Sequence, residues 1–369
     1  MPRTEYRTEE TAPAGGRLHD FRFRAMNTTV YLRLRASDGQ AAKAKAAAAD
    51  WFRFVEQRFS RFRPDSELCR LNRAEGRPMM VSDTMLEVLE LAAHYGRVTG
   101  GTFSPFVLDA LARSGYDVSY EQLRERSGEA GAHEDSRNAA AAPRTADAAP
   151  SCSPISALRL DLGMKAATLP PGGALDLGGI VKSWAVERFA DYLRRRLDIA
   201  AGLIKAGGDL TTWGSPGEQE HWSIGIEHPW EPDGNWGTLR LDGDYRAAAT
   251  SSVLGRSWSS PTGETRHHLI DPATMRASRS DVAQCTVTGM AATECEVWAK
   301  VICIVGWAEG TFRLRLAGSD CEALAFTRDG RTRLSRAAGP AREERWQEAA
   351  AAEIPLTRFE HSNIRRNSP

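Results

Sequence analysis

Twin glycines with a lysine about one helical turn behind them are the residues in this sequence best placed to do chemistry. The run is Asp176-Leu-Gly-Gly-Ile-Val-Lys182. Only a residue without Cβ takes the tightest turns. The free N–H groups of a helix start beside such a turn form an anion site, and Lys182 is close enough to reach the same anion. A plain strand–turn–helix with an exposed lysine accounts for the same residues, and the run is neither a Walker loop nor a G-x-G-x-x-G fingerprint. Twin glycines recur after apolar runs at 100–101 and 207–208, each a point where backbone can approach a ligand closely. Asp209 follows the last pair and either orients a histidine or caps a turn.

Elements must hold these residues in place. Ala174 to Leu177 reads as a strand end before the turn. After it, Val186, Phe189, Leu193 and Leu197 recur at steps of three and four, predicting an amphipathic helix. Glu187, Arg188, Asp191 and Arg194 to Arg196 face away, and the arginines suit the negative end of its dipole. Asp20 to Met26 and Thr28 to Arg35 alternate like two strands of a hairpin. Gln40 to Phe59 predicts an alanine-rich helix packing through Trp51, Phe52 and Val55. A short helix capped by Asp65 or Ser66 follows, then a helix over Ser82 to Val98. Leu203 to Asp209, Trp222 to Glu227, Gly237 to Leu241, Tyr245 to Thr250 and Cys285 to Thr288 read as strands. A helix over Thr293 to Val305 precedes strands near Glu322 to Phe326 and Arg331 to Ser335. Thr293-x-x-Glu296 has capping-box spacing, and Glu296 and Lys300 the spacing of an i,i+4 ion pair.

Domain limits follow from composition. Residues 1–19 read as a loose leader, 20–336 as the globular domain and 337–369 as a tail with a possible surface helix over 342–352. Within the domain, residues 125–157 are Ala, Ser, Pro, Gly and charge, which reads as a mobile insertion. With 369 residues, 41% hydrophobic and ten Trp, the chain can bury a substantial core. A formal net charge of zero gives no global attraction to nucleic acid or anionic membrane. The six cysteines form no C-x-x-C pair, which fits free thiols in a reducing compartment. No apolar run of membrane-spanning length and no apolar leader occurs, so the expectation is a soluble cytoplasmic protein without a signal peptide. Alternating strands and helices with many consecutive strands predict an α+β fold with mixed or antiparallel sheets.

Eight pieces in one order resemble the FAD:protein FMN transferase (ApbE-type flavin transferase) family. They are Met26-Asn-Thr28, Ser60 to Asn72, Thr99-Gly-Gly-Thr-Phe-Ser-Pro105, Leu175 to Lys182, and Lys205-Ala-Gly-Gly-Asp209. Ala249-Thr-Ser251 with His267-His-Leu-Ile-Asp-Pro272, and the helix Ala292 to Gly306, complete the set. The resemblance covers roughly residues 20–335. It implies two similar α/β halves of T-fold type with the nucleotide between them. It also implies an enzyme that cleaves FAD with a divalent metal, usually Mg²⁺, passes FMN to a Ser or Thr of an acceptor flavoprotein, and releases AMP. Two other outcomes are FAD pyrophosphatase activity, with water as acceptor, and a non-catalytic FAD-binding protein.

By the same resemblance, Met26, Phe62, Thr102, Phe103, Ser104, Asp176, Lys182 and Ile270 contact the flavin nucleotide, and the carbonyl of Gly179 is a metal ligand. The sequence departs from the family at Phe62, often Tyr or Trp there, and at Ser104, where the family has Asp. The metal-binding helix of the family carries Asp and Thr; the matching positions here are Glu296 and Lys300. Glu296 reads as a metal ligand or as the acid of the local ion pair. Lys300, an ammonium that competes with a cation, reads as a phosphate-neutralising group or as a partner of Glu296. Thr250 and Asp271 are hard oxygen donors that could complete a magnesium site. His268 and Asp271 are the candidate catalytic bases; the alternative for His268 is a core or flavin-packing histidine. Arg256 reads equally as a phosphate ligand or a surface arginine.

Overall fold

A computed structural model describes residues 16–129, 152–217, 221–231, 234–243, 245–259, 265–337 and 345–348. The hairpin at its start forms as the alternation requires. Strands Arg17–Ala25 and Thr28–Ala36 pair with Ala25 opposite Thr28, so the loop is two residues long. Met26 and Asn27 both take positive φ, at 51° and 54°, which matches the right-handed twist of paired strands.

That hairpin is the edge of an eight-stranded sheet. It continues through Ala201–Ala206, Asp209–Trp213, Arg246–Ser252, Val282–Gly289, Glu322–Thr327 and Thr332–Ser335. All seven neighbouring pairs are antiparallel. Two four-stranded halves meet where Asp209–Trp213 pairs with Arg246–Ser252. The α+β expectation holds, with the two halves fused into one sheet.

The period-2 pattern decides what covers each face. Leu32, Leu34, Ile204, Ala206, Ala247 and Ala249 enter the larger core. There they meet the helices Asp38–Phe59, Val181–Arg196 and Ala292–Val305. Tyr31, Leu203, Leu210 and Ala248 point the other way, into a second core with Trp222, Leu239 and Trp346. That face is covered by a three-stranded sheet of Trp346–Glu348, Asn235–Asp242 and His221–Glu227. Trp184, Trp213 and Trp298 are fully buried, and each such ring removes about 150–250 Å² from water.

Several local expectations change. Ala174 to Leu177 is not a strand. The segment is extended because the Asn72 side chain bonds both the amide and the carbonyl of Leu175, and the Asp176 amide donates to the Pro105 carbonyl. Residues 346–348 form a strand, not part of a surface helix, because residues 237–239 offer a partner edge. Residues 17–19 belong to the first strand and not to a leader. At the insertion, Tyr120–Glu129 is helical, and Ile155 packs where a Cβ on Gly96 would lie 2.7 Å from its Cγ1. Residues 130–151 of the insertion, residues 1–15 and most of the tail lie outside the described residues. The short helix Glu67–Asn72 is capped by Ser66, whose Oγ accepts from the Cys69 amide at 3.0 Å.

Candidate active site

The helix Val181–Arg196 starts with no side-chain cap, directly after Gly178 and Gly179. Lys182 therefore projects from its first turn toward the seam between the two half-sheets. There its Nζ bonds Asp209 Oδ2 and stands 3.1 Å from Glu296 Oε1. Asp209 is positioned by the next glycine turn. Ala206 pairs with Asp209, so Gly207 and Gly208 form the whole turn, with Gly207 at φ 66°. A Cβ on Gly208 would lie 2.7 Å from the Thr250 carbonyl oxygen, an approach only glycine permits.

Glu296 comes from the other half. It lies on the inner face of Ala292–Val305 and is buried. Its Oε2 accepts from Ser183 Oγ at 2.6 Å, and Lys300 Nζ stands 3.5 Å from its Oε1. The predicted i,i+4 pair is present. The capping box is not: no side chain of this helix caps its start, and Thr293 donates both its amide and hydroxyl to Glu187. Glu187 thus bridges two helices instead of facing away.

Burial and charge compete over the acids. Burial and the neighbouring Glu296 raise Asp209 to about 6, although Lys182 opposes them. Burial also disfavours charge on Glu296, but Lys182, Lys300 and the Ser183 hydroxyl outweigh it and lower the carboxyl to about 2. Lys182 is itself penalised by burial, yet Asp209 and Glu296 raise its pKa. The arrangement is an ammonium locked between two acids, with a second ammonium beside it.

Gly179 lies under that second ammonium. A Cβ there would stand 3.0 Å from Lys300 Cε, 3.3 Å from its Nζ and 3.5 Å from Phe103 Cε2. Phe103 is fixed by the 99–103 turn, where its amide donates to Thr99 Oγ1 at 3.0 Å. Gly100 and Gly101 take φ of 60° and 81° in that turn. All three glycine turns thus frame one region through Phe103, Gly179 and Asp209.

Asp176 makes the next contact outward. Its Oδ2 lies 2.7 Å from Arg61 Nε, and its Oδ1 accepts from the Gly178 amide at 2.7 Å. The Arg61 guanidinium sits 4.2 Å over the Phe62 ring and 4.5 Å over Tyr116, and its Nη2 is buried without a partner among the described residues. Ile270 packs in the same small apolar cluster as Tyr116 and Phe62. Phe62, Asp176 and Ile270 are therefore brought to one wall. Met26 donates its amide to Glu56 at 3.3 Å. Thr102 accepts from Arg313 at 2.5 Å, and Ser104 bonds Cys152 at 3.2 Å. Among the described residues, no hydrogen bond joins these three residues to Lys182 or Lys300.

His268 is half-buried, and its Nδ1 has no partner among the described residues. Burial first, then the positive charges of Arg256, Lys300 and His267, hold its pKa well below the usual 6.5, against a hydrogen bond to the Arg256 backbone. It is a neutral imidazole within electrostatic reach of Lys300. His267 bonds the Ser278 carbonyl at 2.9 Å and is a core histidine. Asp271 is occupied by its own turn: Oδ1 accepts from the Ala273 amide at 2.9 Å and Oδ2 from Thr274 Oγ1 at 3.2 Å. Thr250 Oγ1 is 2.8 Å from Thr286 Oγ1.

The donors do not suit a divalent cation. Mg²⁺ takes near-octahedral oxygen ligands, usually one or two carboxylates with substrate phosphates and waters, so the state of the Glu296 carboxylate matters most. Both Glu296 oxygens are engaged by Lys182, Lys300 and Ser183, and no group of three or more His, Cys, Asp or Glu suited to a metal occurs among the described residues. Arg61, Ser183 and Glu187 went unrecognised in the sequence. Only Arg61 carried a signal, lying inside the Ser60-Arg-Phe-Arg piece. A cleft of about 330 Å³ on the outer side of the lysine helix, lined by Glu87, Trp184 and Arg188 among others, holds none of the expected site residues.

Known proteins share this architecture. The ApbE family profile matches residues 26–324. The chain is 28% identical over 160 residues to the FAD:protein FMN transferase of Klebsiella pneumoniae, 43% of this chain and 47% of that one. It thus spans about half the length of that relative. It is 26% identical over 265 residues to the Vibrio cholerae protein of the same name, 69% and 71% of the two chains. To that of Treponema pallidum it is 25% identical over 326 residues, 80% and 81%. Among solved structures, the ApbE protein of Thermotoga maritima superimposes with a TM-score of 0.71 at 22% identity, covering 86% of this chain and 97% of that one. The flavin transferase ApbE of Vibrio cholerae gives 0.66 at 21%, covering 86% and 97%. At such identities these superpositions speak for the fold.

Proposed function

The chain belongs to the ApbE family, and on that premise we propose that it is an FAD:protein FMN transferase, seating the pyrophosphate of FAD at the seam between its half-sheets. One observation carries the reading: Lys182 is locked by Asp209 and Glu296 beside the helix start after Gly179, which no side chain caps. Phosphoryl transfer is mainly positioning and charge neutralisation. The helix start and the two ammonium groups supply the neutralisation, and Arg61, Phe62 and Phe103 supply walls for the nucleotide.

The acceptor is a Ser or Thr hydroxyl of a flavoprotein. Its oxygen bonds to the FMN phosphorus as the bond from that phosphorus to the bridging oxygen breaks. AMP leaves with the bridging oxygen and its electron pair. His268 takes the hydroxyl proton, since its imidazole is neutral and its Nδ1 uncommitted among the described residues. Asp271 is the weaker candidate, because turn donors already engage both its oxygens. Mg²⁺ is implied by the resemblance, but these donors give it no support. The cytoplasm is the compartment proposed: the six cysteines are all unpaired, as suits reducing conditions, and no described helix is long and apolar enough to cross a membrane.

The test is to mix the full chain with FAD and an acceptor flavoprotein domain, with Mg²⁺ and separately with EDTA. AMP and protein-bound flavin should appear in equal amounts in at least one condition. Free FMN with AMP would make the chain a pyrophosphatase. Bound FAD without AMP in either condition would make it a flavin-binding protein.

A further inference from the structure

We propose that the Lys300 ammonium serves as the pyrophosphate-neutralising cation over Gly179, so that FMN transfer by this chain proceeds without a bound divalent metal. The inference rests on the transferase reading above.

Geometry comes first. Lys300 Cε and Nζ lie 3.0 and 3.3 Å from where a Cβ on Gly179 would be. The ammonium therefore rests on the backbone of the helix start, where an anion would be held. Lys300 is half-buried, with 17% of its side chain exposed, so it keeps an open side toward a ligand. An ammonium offers three donors and no acceptor, which suits phosphate oxygens and repels a cation.

Most of the side-chain oxygens that could hold a metal are already bonded. Both Glu296 oxygens are engaged, by Lys182, Lys300 and Ser183. Asp209 binds Lys182 through Oδ2. Thr250 pairs with Thr286, and Asp271 with its own turn. A divalent ion would have to displace these bonds while standing beside Lys182, Lys300 and the half-buried Arg256. In the transfer, charge builds on the bridging oxygen as it leaves with AMP. A fixed ammonium stabilises that charge without the ordering a metal requires.

The experiment measures AMP release and protein-bound flavin in EDTA for the full chain and for Lys300→Thr and Lys300→Arg. Manganese EPR in the presence of FAD is run alongside. The unmodified chain should transfer in EDTA within about two-fold of its rate in Mg²⁺ and should bind no stoichiometric Mn²⁺. Lys300→Thr should lose on the order of 10²-fold in EDTA, and Lys300→Arg should retain most of the rate. Because Glu296 stays paired with Lys182 in these variants, circular dichroism should be unchanged. If Lys300→Thr gains a bound Mn²⁺ and recovers with Mg²⁺, the substitution of cation by ammonium is demonstrated directly. Transfer abolished by EDTA and restored by Mg²⁺ in the unmodified chain overturns the inference, as does undiminished transfer by Lys300→Thr in EDTA. If no condition gives AMP, the transferase reading falls, and EPR alone decides the role of Lys300. Mn²⁺ bound by the unmodified chain overturns it; Mn²⁺ bound only after Lys300→Thr supports it.

Discussion

Glu187 accepts hydrogen bonds from both the amide and the hydroxyl of Thr293, each at 3.1 Å. This joins the helix that carries Lys182 to the start of the helix that carries Glu296 and Lys300. The orphan amides of one helix are thus satisfied by a neighbour's carboxylate, and the register that brings Lys182 to Glu296 is held at the same time.

Burial pushes the Glu187 carboxyl up to about 7, with the Thr293 bonds acting against it. Because the folded pKa lies above the unfolded value, its contribution to stability is complete below pH 4.5 and is lost as pH rises through about 7. Urea unfolding of Glu187→Gln at pH 5 and pH 8 should therefore show a smaller fall in midpoint than the unmodified chain. An unchanged fall would mean that Glu187 does not titrate in this range. Glu187→Ala should cost about 1–3 kcal/mol at pH 5 by leaving Thr293 unsatisfied, and less at pH 8, where the unmodified carboxyl has already lost its contribution.

Lys182→Ala should destabilise strongly. Asp209 and Glu296 have side chains only 2% and 3% exposed. Removing one partner from a buried ion network costs about 3–5 kcal/mol. The triple change Lys182→Met, Asp209→Asn, Glu296→Gln should recover much of that loss without recovering FAD binding. An unfolding free energy for Lys182→Ala within about 1 kcal/mol of the parent would show the cluster to be solvated.

Two glycines should respond in opposite ways. At Gly179 the first atoms met by a new Cβ are the flexible end of Lys300 at 3.0 and 3.3 Å. Gly179→Ala should thus fold with little loss while displacing the ammonium, so transfer falls and the melting temperature holds. At Gly208 the obstacle is the Thr250 carbonyl at 2.7 Å, which is sheet backbone. Gly208→Ala should lower the melting temperature sharply. Equal thermal losses in both variants would contradict this.

His268 should set the acid limb of the pH–rate profile below the ordinary histidine value of 6.5, since burial and then Arg256, Lys300 and His267 hold it neutral. Lys300→Met removes one of those charges and should move the limb upward. His268→Asn should lower kcat by about 10²–10⁴-fold, with the FAD dissociation constant little changed. A limb that stays in place in His268→Asn would assign the proton to another group.

Local patterning made much of the fold readable. Alternation in residues 20–35 placed the hairpin, and the three-and-four spacing of Val186, Phe189 and Leu193 placed the buried face of the lysine helix. Ser66 could be named as one of two caps because a cap depends on its immediate neighbours. The twin glycines marked three turns of the site for the same reason: a backbone that must turn tightly or pass close to another chain segment leaves its mark at a single position.

What the tertiary structure decided was partnership. Lys182 meets Asp209 and Glu296 across 27 and 114 residues of chain, and Glu187 reaches Thr293 across 106, displacing the capping box that spacing alone suggested. Residues 346–348 became a strand because residues 237–239 offered an open edge, and Ala174 to Leu177 stayed out of any sheet because Asn72 had taken the Leu175 backbone groups. Periodicity records which side of an element avoids water. It carries no record of which distant group will satisfy a charge or an amide, because that choice is made only when the core closes and unpaired polar groups become costly.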